Sequence, residues 1–544
     1  MRPSVGEGYD GARPEELAVS TFAIRDLTRR DFLRLGRDAT AAVALGSLPT
    51  FGSEHERHFP ENPFKFGVAS GDPQPDGVVL WTRLDGQVLD RSGAMGLPVS
   101  VHWEIAEDDS FRRIVRKGSH LAVAELGHSV HAEVGGLRPG RHYWYRFLSG
   151  GEASATGRTR TAPAENTTLD QFRFAFVSCQ NYETGYFTAY RRIAEEDLDL
   201  VVHLGDYIYE TGTMGAERAV RLQEAGGELL SLDQYRSRYA SYKRDEDLQA
   251  AHALFPFVVT ADDHEVKNDY AGATAPGDMP ADQFLIRRAA AYQAYYEFMP
   301  LRRASLPAGP FMRLFRRVSF ANLAQIHVLD TRQYRPGLTC GGGRKPQCEE
   351  AFDPSRSIMG TKQEKWLMDG LRTSPARWNV IANQVMMSQL VQPAGDSRTF
   401  SMDNWNGYVQ SRSRLMRFLA EARPSNPIVV TGDIHSNWVS DLKLDFDNPS
   451  SPTVGTEFLG TAISSGGDGD ESTRAEVLAL NPHVKFYNNR RGYVRCTMTP
   501  SLFTSDYRTL PYVSRPDAPI DTRASFVVET GRPGAQLIKM GDPQ

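Results

Sequence analysis

The chain has 544 residues, of which 40% are hydrophobic and 24% charged, with 47 glycines and a net charge of −5 at neutral pH. That length exceeds what one core supports, so two domains are expected in an ordinary globular protein. The weak negative charge supplies no basic field for gripping nucleic acid, so no stable nucleic-acid complex is expected, and no run of about 18 apolar residues exists to make a transmembrane helix.

Residues 1–60 read as a leader. "TRRDFLRLG" (28–36) sets Arg29 and Arg30 ahead of Phe32 and Leu33, and a mildly apolar stretch follows at 40–52. This resembles a twin-arginine export signal, which implies the twin-arginine machinery as a partner and a periplasmic, cell-wall or secreted destination. The alternative is the basic start of an amphipathic helix. About 25 residues precede the motif, Asp38 interrupts the apolar run, and no A-x-A cleavage site stands out.

Residues 61–165 carry short alternating segments, among them "DGVVLWTRL", "PVSVHWEIAED", "HSVHAEVGGL" and "RHYWYRFLSG", separated by turn residues. This spacing predicts a small antiparallel β-sandwich. It shows no catalytic cluster, and His102 and His128 read as structural.

After a linker at 161–171 the rhythm changes, and 170–540 reads as a second domain. Strands are predicted at 172–180, 199–210, 255–265, 323–334, 377–387 and 426–436. Helical patterns cover 185–198, 281–299 and 411–422. This alternation argues α/β architecture. The strands end alike: Cys179, Asp206 with Tyr209, Asp262-Asp263-His264-Glu265, Asn383, and Asp433 with His435. One such ending is an ordinary turn acid. Five together point to convergence beyond the carboxyl ends of the strands, where open α/β sheets bind ligands. A carboxylate can be shared between two cations, thiolate, phenolate and imidazole suit a redox-capable transition metal, and carboxylate and amide oxygens suit Ca²⁺. On periodicity alone Cys179 reads more readily as a core thiol than as a ligand.

Cys340 and Cys348 bracket a flexible "GGGRKPQ" and are placed to close a local disulfide, while Cys496 lies in an alternating strand as a buried thiol.

"GDYIY" (205–209) resembles the GDxxY block of the purple-acid-phosphatase and PhoD-like branch of metallophosphoesterases. "SCQNYETGYFTAY", "TADDHEVKNDYAG", "LDTRQYR", "ANQVMMSQL", "VVTGDIHSNW", "TAISSGGDG" and "FYNNRRGYVRC" are similar, in order over 172–496, to the blocks of PhoD-like alkaline phosphatases, a family that includes phosphodiesterases and phospholipase D-like enzymes. The resemblance implies a four-layer α/β/β/α core behind the N-terminal β-sandwich, and a centre of Fe³⁺ and Ca²⁺. It assigns Asp206 as the bridge between cations, Cys179, Tyr209 and His435 to iron, and Asp263, Asp433 and Asn383 to calcium. Asp262 and Asn268 serve a second calcium or brace the loop. The implied reaction is hydrolysis of a phosphate ester, phospholipid included, by hydroxide from metal-bound water. His264 contacts the phosphate or protonates the leaving oxygen, or else orients Asp263. Arg490 and Arg491 bind phosphate oxygens or form structural salt bridges. The glycine-rich 464–470 approaches the site as backbone or is a flexible loop. The segments 211–250 and 335–360 are expected to shape the mouth, and the chain after 500 to cover part of it. A phospholipase D-type diesterase on the same centre and a non-catalytic exported protein stapled by calcium are the other readings. A zinc phosphatase with a serine nucleophile lacks support, because the ligand set is poor in histidine and Ser178 has no activating base.

Overall fold

The computed structural model describes residues 58–212, 219–223, 227–395 and 397–542. The twin-arginine motif at 28–36 lies outside them. Alternation builds the core. Along the strand Phe172–Val177, Phe172, Phe174 and Phe176 point into one apolar layer while Ala175 and Val177 point into another. Leu200 and Val202 oppose Val201 in the same way on the neighbouring strand Leu200–His203.

The two layers are the two faces of a ten-stranded sheet. Its parallel centre is Phe172–Val177, Leu200–His203, Pro256–Val259 and Val68–Gln74. A seven-stranded sheet packs on one face, its parallel centre running through Ala324–Val328, Trp378–Ala382, Pro427–Thr431 and Thr453–Leu459. Val328, Val380, Val430 and Phe458 meet the phenylalanines of the first sheet between them. Helices Leu232–Lys243 and Ala281–Phe298 belong to the apolar layer on the outer face of the ten-stranded sheet, and Gly360–Thr373 and Val409–Ala422 to that of the seven-stranded one. The architecture is therefore the four-layer α/β/β/α core implied by the sequence.

The N-terminal sandwich shares one of its layers with that core. Its five-stranded sheet includes Val99–Ala106, Ile114–Ala122 and His142–Ser149. It faces the end of the ten-stranded sheet, with Val101, Ile105, Tyr145 and Phe147 packed against Leu80 and Val130. Val68–Gln74 pairs directly with Pro256–Val259, placing Ser70 opposite Pro256.

Three expectations change. The helix read over 185–198 is only Thr188–Ala194, because Gly185 is extended and a short 3₁₀ turn, Tyr182–Thr184, precedes it. The chain after 500 forms the strands Leu502–Leu510, Asp521–Glu529 and Arg532–Met540 at the edge of the ten-stranded sheet, and none of its described residues lines the cavity at the strand ends. Within 211–250 the described residues likewise stay off the cavity wall, since Leu232–Lys243 packs into the core. The loop 335–360 does reach the mouth, through Gly343 and Arg344.

Candidate active site

Each core strand stops short of its predicted end, and the functional residues stand in the loops just past the carboxyl ends. Several hold left-handed backbone: Cys179 (φ +60°), Asp206 (+56°), Asp269 (+57°), Asp433 (+75°) and His435 (+53°). Such conformations cost about 1–2 kcal/mol each for residues bearing a Cβ and persist where the surroundings over-determine them. Gly205 shows how tightly they are packed. At φ +115° a Cβ there would lie 2.4 Å from the Asp262 Cβ.

Three groups of ligand atoms converge. Cys179, Asp206 and His435 form one, Asp206, Asp263 and His264 a second, and Asp262, Asp263 and Asp433 a third, the atoms of each lying within 4.8 Å of one another. Asp206 joins the first two and Asp263 joins the last two. Tyr209 completes the first group, with its hydroxyl 3.1 Å from both Asp206 Oδ2 and His435 Nε2. Ser465 Oγ lies 2.7 Å from the Tyr209 hydroxyl and 2.7 Å from the Cys179 carbonyl, so the glycine-rich loop does approach the site.

The remaining expected residues are placed less centrally. Asn383 is fully buried at a strand end, with its carbonyl oxygen accepting from Trp405 Nε1 at 3.2 Å and its amide donating to the Val385 carbonyl. Asn268 is exposed, and it is its backbone N–H that donates to Glu210 Oε1, at 2.8 Å. Arg491 lies on the cavity wall, but it donates to the His435 and Gly467 carbonyls and to Thr461 Oγ1, bracing the loop that carries His435. Arg490 pairs with Glu471 at 2.8 Å and does not line the cavity. His264 Nδ1 sits 2.7 Å from Glu210 Oε2.

Sequence reasoning missed the groups that hold this array together. Arg332 is fully buried; its Nε donates to Asp262 Oδ1 and its Nη1 to both Asp403 oxygens at 2.8 Å, while Nη2 lies 3.5 Å from Asp263 and 3.9 Å from Asp433. Arg335 adds a second contact to Asp403. Asp403 in turn joins Asp263 and Asp269 in another three-carboxylate group. The Glu265 carboxylate accepts from the backbone N–H groups of Asp206, Tyr207 and Asp262, fixing two loops at once. The signal for Arg332 was an arginine at a strand end, in "LDTRQYR", among strand ends otherwise rich in metal-capable residues.

The electrostatics are those of a site short of positive charge. Burial pushes the Asp206 carboxyl well above its usual range, and Asp263, Asp262 and Glu265 push further. Burial, resisted by Arg332, brings Asp262 to about 7, and burial brings Glu265 to about 7. Burial followed by Asp206 raises the Cys179 thiol and the Tyr209 phenol. His264 shows the complement. Burial disfavours its cation, yet Asp206, Asp263 and Glu210 together hold its pKa well above the usual value. Asp206 Oδ1 is buried with no hydrogen-bond partner. A buried acceptor left so is expensive unless something positive meets it. Oxygens, a thiol, a phenol and an imidazole around one such acceptor fit a pair of cations of different hardness.

These groups open onto a cavity of about 520 Å³, walled by Asp433, His435, Asp403 and Arg491 among others. Among the described residues no helix is long and apolar enough to cross a membrane. The family model described as PhoD-like phosphatase matches residues 174–507, and that of the PhoD-like phosphatase N-terminal domain matches 50–163. Alkaline phosphatase D of Bacillus subtilis is 45% identical over 534 residues, covering 96% of this chain and 91% of that protein. A solved structure described as that of PhoD superposes with a TM-score of 0.87 at 47% identity, covering 90% of this chain and 94% of the other. The chain belongs to the PhoD-like phosphatase family, and with it to the phosphoric ester hydrolases.

Proposed function

We propose that the chain is an exported alkaline phosphatase and phosphodiesterase working through an Fe³⁺–Ca²⁺ centre. Asp206 carries this reading. It belongs at once to a group with thiol and imidazole and to a group with carboxylate and imidazole, and one of its buried oxygens lacks a partner. Cys179, Tyr209 and His435 are the residues to hold iron beside it. Asp263, Asp433, Asp262 and Asn383 offer the oxygens for calcium. When bound, such a pair supplies Lewis acidity, activates water near neutral pH and neutralises phosphate charge.

The chain's own residues do the rest. Glu210 fixes His264 through Nδ1, leaving Nε2 as the nitrogen from which a proton reaches the departing oxygen. Arg332 and Glu265 hold the acidic loops so that their carboxylates face one another without collapsing apart. Export by the twin-arginine route rests on Arg29 and Arg30, and the Cys340–Cys348 disulfide suits an oxidising compartment. Replacing both arginines by lysine should leave the protein in the cytoplasm, and unimpaired export of that variant would remove the route.

The test is hydrolysis of a monoester and a diester side by side by protein loaded with iron and calcium, with and without a calcium chelator. Chelator-sensitive cleavage of both supports the reading. Diester or phospholipid cleavage alone would keep the centre and move the activity to a phospholipase D-type diesterase. Independently of turnover, Tyr209→Phe should abolish a visible phenolate-to-iron absorption band. A band unchanged in that variant would rule Tyr209 out as a ligand.

A further inference from the structure

We propose that Arg344 and Arg474, on the rim of the catalytic cavity, form a distal anion subsite that selects substrates bearing a second negative charge on the leaving alcohol. This rests on the hydrolase reading above and adds to it a specificity for that charge.

The floor of the cavity is acidic, with Asp269, Asp403 and Asp433. Its rim is not. Arg344 and Arg474 both line it, both are exposed, and neither forms an ion pair among the described residues. The remaining basic side chain of the wall, Arg491, is committed to carbonyls and Thr461. The rim acid, Asp470, accepts from the Ser472 N–H at 2.9 Å and pairs with neither arginine among the described residues. Two guanidinium groups thus remain for a ligand arriving at the mouth.

The backbone that carries Arg344 and the side chain of Arg474 are placed in advance. The Cys340–Cys348 disulfide closes the loop that carries Arg344, and Arg344 and Lys345 pair as a short strand with Ser401 and Phe400. The Met402 N–H bonds to the Gly343 carbonyl at 2.9 Å on the same seam. Arg474 lies over the Tyr487 ring, 5.7 Å from its centroid. A side chain already held loses less freedom on binding, and a guanidinium presents the donor fork that phosphate and carboxylate accept. About 520 Å³ is also far more room than a lone phosphate group fills.

The experiment compares hexyl phosphate with hexane-1,6-diol bisphosphate in the metal-loaded full chain. The second phosphate doubles the number of scissile groups, so a ratio of two in kcat/KM is the statistical value. The wild type should exceed it by about tenfold at low salt, each arginine contributing about threefold, the size of an exposed ion pair. Raising the salt should shrink the ratio. Arg344→Ala and Arg474→Ala should each lower it about threefold, and the double variant should return it to near two. A wild-type ratio of two with both substrates hydrolysed would overturn the subsite and leave the hydrolase standing, as would variants that slow both substrates equally. Hydrolysis of neither by folded, metal-loaded protein would overturn both.

Discussion

A buried carboxylate oxygen without a partner sets the behaviour of the site at the scale of single residues. Asp206 Oδ1 is in that position, in a pocket where burial and neighbouring acids already oppose its charge. Replacing Asp206 by Asn keeps the shape and removes the charge. We expect activity to fall by about 10³-fold or more, iron and calcium to be lost together, and the metal-free protein to melt no lower than the metal-free wild type. Elemental analysis and melting in chelator check this; a variant that keeps both metals would end the bridging assignment. Arg332 predicts the opposite. It is the cation that Asp262 and Asp403 already possess, so Arg332→Met strands buried carboxylates and should destabilise the protein by about 3–5 kcal/mol, read from denaturant midpoints. A midpoint within experimental error of the wild type would show that the carboxylates find other partners. Asp206 was legible in the sequence because it ends an apolar run. Arg332 was not, and Glu265 was read only as one of the strand-end acids, because their bracing role joins loops distant along the chain that only folding brings together.

At the scale of elements, β-branched apolar runs made the core strands readable, and their shared ending in metal-capable residues located the site. Strand lengths were read too long, because the apolar pattern runs on into the left-handed turns that aim Cys179, Asp206 and Asp433. The C-terminal strands were hidden by prolines that in fact sit mostly between them, in the 511–520 loop whose Val513 and Ser514 N–H groups bond to Asp468. The disulfide loop is the element where sequence and structure agree most directly, since Cys340 and Cys348 are joined. Its strand has only two residues, so the covalent link does much of the holding; closing so short a loop is worth about 2.5 kcal/mol by chain entropy. Reduction should therefore open the loop locally. Tryptic cleavage after Arg344, followed by mass spectrometry, should rise by about tenfold in reductant, while equal rates in both conditions would assign the loop's order to its pairing with Phe400 and Ser401.

At the scale of the whole molecule, three of the four core layers hide a neutral histidine. Burial lowers His203, in the ten-stranded sheet, to about 3, and His327, in the seven-stranded sheet, to about 4; it drives His252, on the helix Glu246–Leu254, well below its usual value. The neutral state of His327 is fixed by its bonds, because Arg317 Nε donates to Nδ1 at 3.2 Å and Nε2 faces Asn379 Oδ1 at 3.3 Å. Each ring stays unprotonated when folded and binds a proton near pH 6.5 when unfolded. Their stabilisation is full above that pH and falls as pH drops towards the folded values, at about 1.4 kcal/mol per unit for each ring. Asp262 and Glu265 act in the opposite sense in the metal-free protein. Raised to about 7 when folded, they take up protons that the unfolded chain does not bind until near pH 4, and so offset two of the three rings between those limits. Cations at the site replace those protons and remove the offset. Between pH 6.5 and 5, metal-loaded protein should therefore lose stability more steeply than metal-free protein, by about 1.4 kcal/mol per unit for each carboxyl whose proton the cations replace, and loss of calcium at low pH adds to the same sign. His327→Gln should take about 1.4 kcal/mol per unit from both slopes alike. Denaturation across this range, with and without chelator, decides the matter: parallel slopes for the two forms would mean that the acidic cluster does not exchange protons for metal, whereas a steeper metal-loaded slope ties the acid sensitivity of the whole fold to the occupancy of its site.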